Sequence, residues 1–197
     1  MVFASFIPIM IVIVVAAILL LVWTVVKNRS SADAALTDQV RRFAEHDVTA
    51  LTEQIRRVGA LPEAEPELAH ARECERRAND ALAGARHPAD VQAATAAVAE
   101  GFYAVQCAQA AVEGREPPEQ RRPCYFDPSH GLSVVDVDWS PVGEPPARVP
   151  ACQACAAAVA HRAEPTARTV NIAGMSIPHW QAPDHFDPWA AGFYGPA

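Results

Sequence analysis

Val91-Gln-Ala-Ala-Thr-Ala-Ala-Val98-Ala-Glu-Gly101-Phe-Tyr-Ala-Val105-Gln-Cys107-Ala-Gln-Ala-Ala-Val112 is the stretch whose reading decides the fold. Val91, Val98, Val105 and Val112 recur every seventh residue, and Ala94, Gly101 and Ala108 follow three later. That is an a/d seam of coiled-coil type, valine set over small residues, and small residues let a second helix backbone come close. Apolar residues surround the helix nearly all round from Val91 to Ala111, so it is expected as the buried member of a bundle. Pro88 and Asp90 suit its first turn. The seam serves either an internal core or an oligomeric or partner contact, and short connecting links favour the internal core.

Working back toward the N-terminus, a helix is expected from near Pro66 to Gly84. Its thin stripe is Leu68, Ala71, Cys74, Ala78 and Leu82, and Glu63, Glu65 and Glu67 favour the positive end of its dipole. Before it, Leu36, Val40, Phe43, Ala44, Val48, Leu51, Ile55 and Val58 recur in steps of mostly three and four, one face of another helix. Gly59 suits a C-terminal cap and Pro62 prevents continuation. With links at Leu61–Glu65 and Ala85–His87, residues 31–114 are expected as a helical hairpin or three-helix bundle. Cys74 and Cys107 read as small buried apolar residues.

Further back, residues Val2 to Val26 carry no charge. About 20 apolar residues in a helix cross a hydrocarbon core of about 30 Å, so residues 1–26 are expected as a transmembrane helix. A signal peptide would need a basic start and a shorter apolar core, and no Lys or Arg precedes this run. Lys27, Arg29, Arg41 and Arg42 follow it, which predicts a single-pass protein of the cell membrane with its C-terminal bulk in the cytoplasm. Asn28-Arg29-Ser30 matches a glycosylation acceptor by chance on that reading. The expected fold class is thus membrane-anchored α+β, with the lipid bilayer as one partner.

The C-terminal side is different in kind. Of 17 prolines only Pro8, Pro62, Pro66 and Pro88 precede Arg115, so the remainder should be strand, turn and linker. Residues 115–123 read as a charged, extended linker, and residues 124–197 as a small Cys/His β-hairpin module with an aromatic tail. Cys124 and His130 precede a predicted hairpin through Val135, Val137, Trp139 and Arg148-Val149-Pro150. Cys152-Gln-Ala-Cys155 then sits in the first turn of a short helix. Zinc prefers four such ligands delivered as two pairs across a turn, so a structural zinc on Cys124, His130, Cys152 and Cys155 is expected. The order of pair, hairpin and pair-on-helix resembles a treble-clef zinc fold. A Cys124–Cys152 disulfide, in an extracytoplasmic domain, and free or redox-active thiols are the competing readings. Some staple is needed, because about 80 proline-rich residues make a poor core. Thr169 to Ile172 and Ser176 to Trp180 read as a second hairpin. His179, Asp184, His185 and Asp187 offer a further metal set, but Trp180, Trp189, Phe193 and Tyr194 are expected to lie over the small sheet as a lid, leaving those polar groups solvated.

Arg121-Arg-Pro-Cys-Tyr-Phe-Asp-Pro-Ser-His-Gly131, Val-Asp-Trp139, Val-Pro-Ala-Cys152, Val98-Ala-Glu-Gly-Phe-Tyr-Ala and the closing Ala-Gly-Phe-Tyr-Gly195 resemble uncharacterised actinobacterial single-pass membrane-anchored proteins with a C-terminal Cys/His-containing module. The resemblance runs from the third helix to the C-terminus and implies an architecture and a bacterial setting, with no activity. The formal net charge of −7 repels phosphate backbones, which argues against nucleic acid as a partner. No P-loop, dinucleotide fingerprint, His-Glu-x-x-His or Gly-x-Ser-x-Gly is present. The expectation is therefore a membrane scaffold or adaptor with a protein partner or a second copy of itself. A membrane-tethered metal- or thiol-dependent enzyme, or an extracytoplasmic disulfide-stabilised domain, is the alternative.

Overall fold

The computed structural model describes residues 6–141, 145–172 and 174–195; within its first helix the side chains at 6–16, 25–26, 28–30 and 32 are not described. That helix, α1 (Phe6–Val58), runs unbroken for 53 residues, about 80 Å at about 1.5 Å per residue. Its second half buries Val40, Ala44, Val48 and Leu51, the face that the spacing predicts. Gly59, at φ +80°, ends it in the left-handed conformation that glycine adopts without a Cβ penalty.

The first half corrects the expected anchor. Among the described residues, no helix is long and apolar enough to cross a membrane. Past Lys27 the same helix continues, without a junction, into the bundle. This overturns the membrane-anchored fold class and, with it, the single-pass cell-membrane placement and the cytoplasmic orientation. Residues 1–5 of the expected anchor lie outside the described residues. The architecture is mainly helical with two small hairpins.

A 3-10 turn at Pro62–Ala64 leads into α2 (Glu65–Gly84), and another at Pro88–Asp90 leads into α3 (Val91–Val112). The Asp90 carboxylate accepts the N–H groups of Arg86 and His87 at 2.8 and 2.9 Å, which holds its pKa below the ordinary value and fixes the start of α3. α3 is the hub: α1, α2 and α5 (Asp187–Tyr194) all pack on it. Val91, Val98 and Val105 are fully buried with Ala94 and Ala108, so the seam is internal core; Val112, past the packed region, is exposed. At Gly101 a Cβ would lie 2.6 Å from Leu51 Cδ2 and 3.2 Å from Cys74 Cβ. The absence of a side chain there lets three helices meet.

The linker is pinned along α3: Arg115 N–H donates to Ala110 O at 2.8 Å and the Tyr103 hydroxyl to Pro118 O at 3.2 Å. β1 (Val135–Trp139) and β2 (Ala147–Ala151) pair antiparallel with Val137 opposite Val149, and α4 (Gln153–Ala160) follows. β3 (Thr169–Ile172) and β4 (Met175–Pro178) make the second hairpin. The aromatic tail does not form the expected lid over a sheet. Trp189 and Phe193, on α5, enter the helical core with Phe186, and Phe43 of α1 meets Trp189 at 4.8 Å between ring centroids. Trp180 stays with the Cys-rich module, stacked on Tyr125 at 5.8 Å. α5 seats so closely that a Cβ on Gly192 would collide with Thr95 Oγ1 and lie 2.6 Å from Gln92 O.

Candidate metal centre

Cys124 and His130 stand at the two ends of a seven-residue loop whose backbone is closed at its base. Pro123 and Leu132 form an antiparallel bridge, and Cys124 N–H donates to Gly131 O at 2.9 Å. The loop ends in a 3-10 turn over Pro128–His130, which carries His130 itself. Asp127 caps that turn, its carboxylate accepting Ser129 N–H at 2.8 Å. Gly131 leaves the turn at φ +89°, a conformation that disfavours any other residue. A Cys-x5-His spacing therefore delivers two side chains to one place.

Tyr125 N–H donates to Pro150 O at 2.8 Å and Val134 N–H to Ala151 O at 2.9 Å, which ties this loop to the end of β2. Cys152 follows β2 directly and is the N-cap of α4, its sulfur accepting Cys155 N–H at 3.5 Å. Cys155, three residues on, shares that face of the helix. All four residues expected from the sequence converge: one ligand atom from each of Cys124, His130, Cys152 and Cys155 lies within 4.8 Å of every other, so the cluster could hold a metal ion. His130 Nδ1 is 3.4 Å from Cys155 Sγ and 4.0 Å from Cys152 Sγ. The three cysteines are buried and His130 is exposed, so the cluster is reached from the imidazole side. All five cysteines of the chain are free thiols.

The electrostatics of an ion-free cluster oppose ionisation. Burial raises the pKa of Cys124, against backbone N–H groups of Cys152, Asp127 and Phe126 that favour its thiolate. Burial, then the neighbouring Cys124, pushes Cys155 up strongly. Neighbouring thiolates repel one another, and a divalent cation reverses that balance by deprotonating its ligands. Phe126, Val149 and Ala151 are buried around the cluster, with Trp139 and Trp180 beside them.

The second set read from the sequence, His179, Asp184, His185 and Asp187, is not brought together among the described residues. His179 is instead buried, its Nε2 2.6 Å from Tyr125 O, and burial lowers its pKa to about 4, so the neutral ring donates to that carbonyl. His185 reaches Gln39 Oε1 at 3.3 Å.

The sequence reading missed three features. The Tyr194 hydroxyl donates to Cys124 O at 2.9 Å and approaches Tyr125 O at 3.2 Å, joining α5 to the metal loop. Asp47 is fully buried on α1, where its Oδ2 accepts Trp189 Nε1–H at 2.6 Å and its Oδ1 lies 3.4 Å from Arg168 Nη2. The signal for Asp47 was a carboxylate on the apolar face, four residues before Leu51. His70 and Cys74, four apart on α2, meet Glu100 of α3; the helical spacing was legible and the third partner was not. No family model matches the chain, and no curated protein or solved structure matches it.

Proposed function

We propose that this chain is a scaffold or adaptor whose C-terminal module is stapled by a structural zinc on Cys124, His130, Cys152 and Cys155. The observation that carries the reading is the convergence of the cluster: four protein side chains of the types zinc prefers lie close enough to share one ion, and four protein ligands would fill a tetrahedral site. Zn–S bonds of about 2.3 Å and Zn–N bonds of about 2.0–2.1 Å give tetrahedral edges of about 3.5–3.8 Å. The His130–sulfur separations of 3.4 and 4.0 Å bracket that range. Such an ion contributes roughly 10–16 kcal/mol of apparent binding energy, which a module of this size requires. Structural zinc sites present surfaces and leave chemistry to others; the partner is a protein or a second copy of this chain, and the net charge of −7 disfavours nucleic acid.

The test is cobalt substitution and metal content in full-length protein, native and with His130→Ala or Cys152→Ser. Read in protein that also carries His70→Ala, so that the group of His70, Cys74 and Glu100 contributes no ion, a closed site keeps its visible spectrum when azide is added, and either substitution costs the metal of this site together with the tertiary signal of Trp139 and Trp180. A module that stays folded in both variants, with a metal whose spectrum responds to azide, would overturn the structural reading in favour of an open, reactive site.

A further inference from the structure

α2 and α3 build a second constellation away from the cysteine-rich module. Cys74 forms its buried floor, beside Gly101, and His70 and Glu100 stand half-exposed above it. His70 Nε2 is 2.9 Å from Glu100 Oε1 and 3.8 Å from Cys74 Sγ, and all three ligand atoms lie within 4.8 Å of one another. A groove of about 520 Å³ opens on His70 and Glu100, walled by Pro66, Tyr103, Cys107 and Pro117.

Two chemistries fit a cysteine, a histidine and a carboxylate in contact. A nucleophile-and-base relay requires the imidazole to take the thiol proton on one nitrogen and to be oriented through the other. Here the same nitrogen, Nε2, faces both partners, so no relay exists. Convergence of N, S and O on one point is instead the geometry of metal ligation between facing helices. Arg77 completes the case. It donates to Glu100 Oε2, the oxygen turned away from His70, and to Cys74 Sγ at 3.3 Å. It thereby holds two ligands from outside, the part an outer-shell donor plays at a metal site.

We propose that His70, Cys74 and Glu100 form a second metal site for a borderline divalent cation of the zinc class, with three protein ligands and a fourth position open to water in the groove. The donor set is mixed, which suits zinc or cobalt over calcium or magnesium. The open position is what separates this site from the closed cluster of the C-terminal module. The site stands on the helical bundle and does not depend on the zinc staple.

The test uses stripped full-length protein, with Zn²⁺ counted by equilibrium dialysis and Co²⁺ as the spectroscopic probe. Native protein should bind about two ions per chain, and His70→Ala, at an exposed rim position, about one. In Cys152→Ser, a substitution outside the helical core, the remaining Co²⁺ spectrum should shift on adding azide; in His70→Ala the remaining spectrum should not. Arg77→Ala should weaken the second ion about 10- to 100-fold and leave the first unchanged. Equal stoichiometry in native protein and His70→Ala, or an azide response that persists in His70→Ala, overturns the proposal. Loss of only the C-terminal ion leaves it standing and bears on the staple alone.

Discussion

Asp47 carries a charge in the unfolded chain at neutral pH and is fully buried in the folded one. Burial raises its pKa to about 7, a larger effect than the opposing attraction of Arg168 and the hydrogen bond from Trp189. Between pH about 4 and 7 the folded chain therefore holds a proton that the unfolded chain has lost, and stability falls as pH rises through this window. His179 has the opposite sign. Its pKa is lowered to about 4 by burial, so between pH about 4 and 6.5 the unfolded chain holds the extra proton and stability rises with pH. The two gradients oppose each other in the native protein. Asp47→Asn keeps an acceptor for Trp189 and removes one gradient; relative to native protein it should gain roughly 1–3 kcal/mol between about pH 5 and pH 7.5. Urea unfolding at the two pH values measures this, and an identical difference at both would show that Asp47 does not titrate there.

At the scale of elements, the glycines of α3 and α5 decide how closely helices approach. Gly101→Ala would press a Cβ on the tip of Leu51, a side chain that can rotate, at a cost of about 1–3 kcal/mol. Gly192→Ala meets the backbone of α3, at Gln92 O and at Ala96 N, 2.9 Å away, which cannot yield. The second substitution should cost more than the first and should lift α5, removing Trp189 from the core. Limited proteolysis of the segment before Asp187, beside tryptophan fluorescence, reads this out; a native-like resistant tail in Gly192→Ala would refute the account. The helices themselves were legible as periodicity: Val40, Ala44, Val48 and Leu51 on one, Val91, Val98 and Val105 on another. The destination of the tail was not, because Trp189, Phe193 and Tyr194 are apolar enough to cover any core, and composition does not say which.

At the scale of the whole molecule, the helical core and the core around Phe126, Val149 and Cys155 share no residue. Metal removal should therefore abolish the near-ultraviolet signal of Trp139 and Trp180 and leave the far-ultraviolet helix signal largely intact. Loss of both together would show the bundle to depend on the ion. The Tyr194 hydroxyl spans the two cores through Cys124 O and Tyr125 O. A neutral hydrogen bond contributes about 0.5–1.5 kcal/mol, so Tyr194→Phe should weaken metal binding at the cysteine cluster about two- to tenfold, measured by competition with a chelator.

By itself the sequence determined what is local: the helical stripes, the stop at Gly59 and Pro62, the two hairpins, and the four residues able to share an ion. Helical and strand periods and metal-ligand types are properties of neighbouring residues, and a window of the chain contains them. Tertiary structure decided what depends on separations of many residues. It joined the apolar N-terminal run to the bundle as one helix, in which no described stretch is long and apolar enough to cross a membrane. It sent Trp189 to Asp47, 142 positions away, and placed Glu100 beside His70 and Cys74. Burial and pairing at such distances follow from how surfaces close on one another, and no single stretch of sequence carries that information.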